Sequence, residues 1–168
     1  MANRPLPSPE ELRQLLRYEP ETGKLFWKAS LSNRAPAGAE AFSIHHASDR
    51  LTYRRGKICG HRVYAHRVIW TIVHGYWPKG DIDHINGDPS DNRLANLREA
   101  TRSQNNMNTG LRRDNVSGVR GVTWCENSRR WNARIRNRHI GSFATREEAA
   151  SAYEAVAIRE YGAFVRAS

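Results

Sequence analysis

The segment Asp81–Asn106, DIDHINGDPSDNRLANLREATRSQNN, constrains the fold of this chain more than any other stretch. A short run ending in Asp83-His84 meets an Asn86-Gly87 turn, and apolar residues at helical spacing resume near Leu94. This pattern predicts a short strand, a loop through Asn86-Gly87-Asp88 and a helix from about Leu94 to Asn106. His84 and Asn96 are 12 residues apart, and Asn96 and Asn105 nine, about two and a half helical turns. On such a helix Arg98, Arg102 and Asn105 fall at i, i+4 and i+7, on one face.

These residue types suit phosphodiester hydrolysis. That reaction needs a base to activate water and a divalent cation to stabilise charge on the phosphate and the leaving oxygen. His84 fits the first role, and Asp83 with Asn105 fits the second. Arg98 and Arg102 would then bind flanking phosphates. An Asp-His pair met alone reads as no more than a turn, and a lone Asn105 as no more than a helix end.

Charge points the same way. The 168 residues carry 27 basic and 17 acidic side chains, a formal net charge of +10 that suggests a polyanionic partner. Charge alone separates neither nucleic acid from an acidic membrane surface nor DNA from RNA. Of the basic residues 23 are Arg and 4 are Lys. That bias suits bidentate contact with phosphate and guanine edges, and a GC-rich genome would produce it equally. Cys59 and Cys125 lie 66 residues apart, so no paired CxxC zinc site can be built and no structural zinc is expected. Both are read as reduced packing residues of a cytosolic protein. With no charged-then-apolar leader and no apolar run near 18 residues, neither secretion nor a membrane span is expected.

Elsewhere, Ser8-Pro9-Glu10-Glu11 offers a capping box for a helix from about Pro9 to Arg17, followed by a turn at Pro20–Gly23 and a strand with Leu25, Phe26 and Trp27. Residues 29–50 are weakly patterned. Leu51–Tyr64 predicts a hairpin turning at Arg55-Gly56-Lys57. Ala65–His74 predicts a helix stopped by Gly75. The polar run Asn108–Ser117 reads as a linker. Beyond it three strands are expected, Gly118–Trp124, Arg130–Arg136 and Arg138–Phe143. A helix then starts at a Thr145/Glu148 capping box, with Ala149, Ala152, Tyr153, Val156 and Ala157 as its apolar stripe. Period two puts Arg130, Asn132, Arg134 and Arg136 on one strand face and Trp131, Ala133 and Ile135 on the other. From Arg112 to Arg138 eight Arg oppose two acids, Asp114 and Glu126, a concentration of charge that favours DNA binding.

Asp83-His84, the Asn-Gly turn, Asp91-Asn92-Arg93, Asn96-Leu97-Arg98 and Gln104-Asn105-Asn106 together resemble the HNH (ββα-metal) endonucleases, especially the phage and intron-encoded homing type. Upstream, Ala65-His66-Arg67 and Gly75-Tyr76-Trp77-Pro78 resemble the helix and turn that precede this finger in phage relatives. The resemblance implies Asp83 and Asn105 as metal ligands, His84 as general base and Asn96 as the residue that fixes the loop and aims the base. Asn105 stands where many relatives have His, and a neutral oxygen ligand favours Mg²⁺ or Mn²⁺ over Zn²⁺. His66 and His74 are second-rank site candidates. His45, His46, His61 and His139 are read as packing or phosphate-contact residues.

Ser117–Trp124, Arg130-Trp131, Gly141–Phe143 and Thr145–Tyr153 resemble the ethylene-response-factor (Apetala-type) DNA-binding domain, which lays a three-stranded sheet in the major groove. That resemblance implies base or phosphate contacts from Arg120, Arg134 and Arg136, with Arg130, Trp124 and Trp131 beside them. The short turn at Asn137-Arg138-His139, and Arg134 at a position usually acidic, are departures.

The expected fold class is therefore α+β, a small modular chain with a central ββα-metal finger and a C-terminal three-stranded antiparallel sheet packed on one helix. The expected modules are 1–57, a nuclease domain at 58–108, a linker at 109–117 and a DNA reader at 118–168. The expected function is site-selective cleavage of double-stranded DNA in the host-cell cytoplasm, with a monomer as default. The rival is a regulator that binds DNA without cutting it.

Overall fold

The computed structural model describes residues 5–48 and 51–166, so the outermost ends of the first and last expected modules lie outside the described residues. The chain forms two compact units, Met1–Arg102 and Ser103–Ser168.

In the first unit the expected capping box is present: Ser8 Oγ accepts from the Glu11 N–H, and Glu11 closes back on the Ser8 N–H. Helix α1 (Pro9–Leu15) buries Leu12 completely. The helix stops short of Arg17. Leu16 turns inward instead as the start of β1 (Leu16–Glu19), which pairs antiparallel with β2 (Lys24–Trp27), Leu16 opposite Trp27. Next come β3 (Ser43–Ser48), β4 (Leu51–Ile58) and β5 (His61–Tyr64), one antiparallel sheet in that order. The expected turn at Arg55-Gly56-Lys57 is corrected: those residues lie inside β4, and the chain reverses at Cys59-Gly60, both at positive φ. A two-residue turn of that kind matches the twist of the strands it joins. Gly56 serves space rather than turning, because a Cβ there would sit 2.1 Å from Cδ1 of Phe42. Helix α2 (Ala65–His74) spans the predicted residues and ends at Gly75.

The finger follows: β6 (Asp81–His84), β7 (Leu97–Ala100) and α3 (Arg102–Asn108), the ββα order. The helix expected from Leu94 is corrected. Leu94–Asn96 is a single 3-10 turn, and Leu97–Ala100 pairs with β6, Asp83 opposite Arg98. The backbone of a buried strand such as Ile82–His84 needs a hydrogen-bonding partner, and β7 supplies it. Arg98 is thus a strand residue and does not share a helix face with Arg102 and Asn105. Residues from Leu12 to Leu97 contribute to one core, in which the N-terminal segment and the strands of the finger are packed together.

In the second unit β8 (Val122–Cys125), β9 (Arg130–Ile135) and β10 (Arg138–Phe143) form an antiparallel sheet with β9 central, and α4 (Arg146–Tyr161) covers one face. Val122, Ala133 and Ile135 meet Ala149, Tyr153 and Ala157 in the core. The expected alternation holds through β9, where Arg130 and Arg134 are exposed. Arg136 departs from it: it lies past the strand end at φ 52°, in the turn. The first strand starts at Val122 rather than Gly118. The stretch expected as a linker is folded into this unit. Ser117 is buried, its hydroxyl donates to Val119 O at 2.9 Å, and Asn115 Nδ2 donates to the same oxygen at 2.9 Å. Among the described residues no helix is long and apolar enough to cross a membrane.

Candidate active site

Strand β6 delivers Asp83 and His84 side by side, 4% and 6% exposed. The following loop is built from short polar side chains that bond their own backbone. Asp88 Oδ1 accepts from the Ser90 N–H and hydroxyl at 2.9 and 2.7 Å, and Asp91 accepts from Arg93 and from Asn86 Nδ2. The Arg93 guanidinium holds the Asp91 carboxyl down at about 2. Asn96 stitches the loop shut. Its Oδ1 accepts from the Asn86 N–H at 2.9 Å, its Nδ2 donates to Asp91 O at 2.8 Å, and its carbonyl accepts from the Ile85 N–H at 2.9 Å.

This loop presents Asn92, 3% exposed, to the histidine: His84 Nε2 lies 3.1 Å from Asn92 Oδ1. Asn92 Nδ2 donates to Ser90 O at 3.3 Å, which orients the amide with its oxygen toward the ring. Nε2 is therefore the donor, and Nδ1 is the proton-accepting nitrogen of the neutral imidazole. Burial pushes the His84 pKa below its ordinary value, while the Asn92 bond and the carboxylates of Asp83, Asp88 and Asp91 pull the other way. The loop is braced in turn by β1. Tyr18 Oη accepts from the Leu94 N–H at 2.9 Å and approaches Asn92 O at 3.5 Å. Gly23, at φ +70°, comes so close that a Cβ would stand 2.5 Å from Arg93 N, a space that only glycine fits in a backbone conformation that favours it.

His66 from α2 packs edge-on against His84, ring centroids 5.2 Å apart. Burial first, then His84 and Arg67, push its pKa down to about 3. His74 is placed elsewhere, its ring 4.0 Å from Trp70 and 6.1 Å from Tyr76. Across the β6–β7 pair, Arg98 Nε and Nη2 each reach Asp83 Oδ2 at 2.8 Å, which makes Arg98 a counter-ion of Asp83. Arg102 is largely exposed and pairs with Asp81 at 3.2 Å. Asn105 lies on α3, in the second unit.

Among the described residues no group of three or more His, Cys, Asp or Glu side chains is placed to hold a metal ion. The donor chemistry at Asp83 is one buried carboxylate. Such oxygen donors fit a hard cation whose remaining positions are filled by water, amide or phosphate oxygens.

In the second unit Trp124, 41% exposed, and the half-buried Trp131 lie with ring centroids 5.3 Å apart. Arg120 is occupied differently from expectation. Its guanidinium donates to the carbonyls of Asn106 at 3.0 Å, Gly110 at 3.2 Å and Thr109, tying the end of α3 to the following loop. Sequence reasoning had no separate role for Asn92, although Asp91-Asn92-Arg93 stood out as a block, and nothing in the sequence marked Tyr18.

Residues 63–107 match the family model described as HNH endonuclease. Over 71 residues, 42% of this chain, the sequence is 35% identical to Protein 3.8 of Escherichia phage T7. The matched stretch spans 59% of that relative's length. No solved structure matches the chain.

Proposed function

We propose that this protein is a divalent-metal-dependent, site-selective DNA endonuclease of the HNH homing type. The observation that carries the reading is the buried His84 imidazole, fixed through Nε2 by Asn92 and adjacent in sequence to the buried Asp83. The family match over residues 63–107 supports it.

In this reading His84 Nδ1 takes the proton of a water aligned with the scissile phosphate, and the water oxygen attacks phosphorus as the 3′ oxygen leaves. The products are 5′-phosphate and 3′-hydroxyl ends. Asn92 keeps the ring in the tautomer that accepts at Nδ1. Asn96 holds the loop that carries Asn92, and so aims the base. A cation such as Mg²⁺ or Mn²⁺ supplies charge stabilisation at the phosphate and the departing oxygen when bound. By the family motif Asp83 and Asn105 would hold it, and without it the charge on Asp83 is met by Arg98.

The second unit is the DNA reader, of ethylene-response-factor type, using Arg130, Arg134, Trp124 and Trp131, with Arg136 at its turn. Arg120 drops out of that set because its donors hold the loop. The test is supercoiled plasmid carrying the flanking genomic DNA, incubated with Mg²⁺ or with EDTA. Metal-dependent conversion to open-circle or linear DNA is expected. Tight, salt-sensitive binding without conversion would favour the non-cutting regulator.

A further inference from the structure

We propose that the outward face of the β3–β4–β5 sheet is a platform for the sugar-phosphate backbone of the DNA substrate, leading the strand to His84. The inference rests on the nuclease reading for its direction but on its own observations for the surface.

The register of β4 and β5 sets Arg55 opposite Tyr64 and Lys57 opposite Arg62, with Tyr53 two residues before Arg55 on the same face. The other face belongs to the core: Ile58 and Val63 are buried, and the Phe42 ring fills the space over Gly56. Two cations directly opposite each other across a strand pair repel and destabilise the sheet. Lys57 and Arg62 nevertheless hold such a pair, both exposed. Among the described residues neither they nor Arg55 has a carboxylate partner. Arg55 instead lies over the Tyr64 ring at 5.9 Å. Arg54, one residue away and on the opposite face, pairs with Glu40 at 2.9 Å. Among the described residues an anion thus meets the arginine turned inward and none meets the three cations turned outward. Phosphate is the ligand that completes this face.

Its position connects it with the chemistry. Tyr64 lies 5.4 Å from Tyr53 and stacks on His66 at 5.4 Å, while Tyr53 lies 6.3 Å from His84. A continuous set of rings therefore runs from Arg55 to the proposed base, and tyrosine hydroxyls are themselves phosphate donors.

The test is salt-dependent binding of a duplex from the flanking genomic DNA, followed by fluorescence anisotropy in EDTA. The proteins are wild type, Arg55→Gln/Lys57→Gln/Arg62→Gln and the single variant Lys57→Glu. Lys57→Glu places a carboxylate opposite Arg62, so its thermal midpoint should hold or rise while affinity falls. The triple variant should bind about tenfold or more weakly, with the slope of log K against log salt shallower by about 2 to 3. Unchanged affinity and slope in folded variants would overturn the platform. Loss of binding to anionic lipid vesicles, with DNA binding intact, would overturn it too and assign the face to a membrane surface. A wild type that binds but never cuts would sink the nuclease reading, while the binding slopes would still decide the platform.

Discussion

Asp83 and Arg98 stand opposite each other across β6 and β7, and both Nε and Nη2 of the arginine lie 2.8 Å from one oxygen of the aspartate. The Asp83 side chain is 4% exposed and that of Arg98 17%. Truncating one partner of such a pair leaves the other charge buried and uncompensated. Arg98→Ala should therefore lower unfolding free energy by about 3 kcal/mol, measured by urea denaturation. A loss below about 0.5 kcal/mol, the size of an ordinary surface substitution, would return Arg98 to the role of an outward phosphate contact.

Asn92 acts on the reaction through His84, and Tyr18 acts through the loop that carries Asn92. Asn92→Ala should reduce kcat about tenfold or more with little change in KM, because the bound water meets a misaligned base. Tyr18→Phe removes the acceptor of the Leu94 N–H and should cost about 1 kcal/mol of stability with a smaller loss of kcat. A KM effect without a kcat effect in Asn92→Ala would show that it serves binding instead.

His66 couples stability to pH. Its pKa is lowered to about 3 in the folded protein, against an ordinary value of 6.5. Below pH 6.5 the unfolded chain gains a proton that the fold excludes, so this contribution is complete above 6.5 and is lost as pH falls toward 3. Among the described residues His84, Arg67, Tyr53 and Tyr64 are the titratable or charged groups around the ring, and none of these is a carboxylate that would stabilise its cation. Between pH 7 and pH 4 wild type should lose on the order of a few kcal/mol more than His66→Phe, as urea midpoints at the two pH values would show. Parallel losses in the two proteins would remove His66 from the account.

The elements that the sequence made legible are those written in local pattern. Helix α2 has an apolar stripe and a terminal glycine, and α4 has the Thr145/Glu148 box, so both were placed within a residue or two. Leu94 and Leu97 are three apart, a spacing that fits a helix. Only the need of β6 for a partner turns Leu97–Ala100 into a strand, and that need is tertiary. The same holds within the site. Asp83, His84 and Asn96 were legible as a spaced set. The bond from Asn92 to His84 and the Tyr18 brace, 76 residues from Leu94, leave no periodic trace. The resemblance that nominated Arg120 says nothing of the carbonyls of Asn106, Thr109 and Gly110 that its guanidinium meets.

Arg120 and Arg134 separate structural from binding arginines in the second unit. Arg120→Ala should cost about 1 to 3 kcal/mol, since it strips donors from the carbonyls of Asn106 and Gly110. Arg134→Ala, on the exposed face of β9, should change stability by less than about 0.5 kcal/mol and make the salt slope of DNA binding shallower by about 1. The reverse pattern would contradict the assignment.

The central claim is that His84 is the base of a DNA-cutting reaction. Single-turnover cleavage of the flanking genomic duplex by wild type and His84→Ala, at saturating protein with Mg²⁺, tests it most directly. The account predicts a rate about 10²- to 10⁴-fold lower in the variant, with affinity in EDTA unchanged. Cleavage by His84→Ala at the wild-type rate would contradict it.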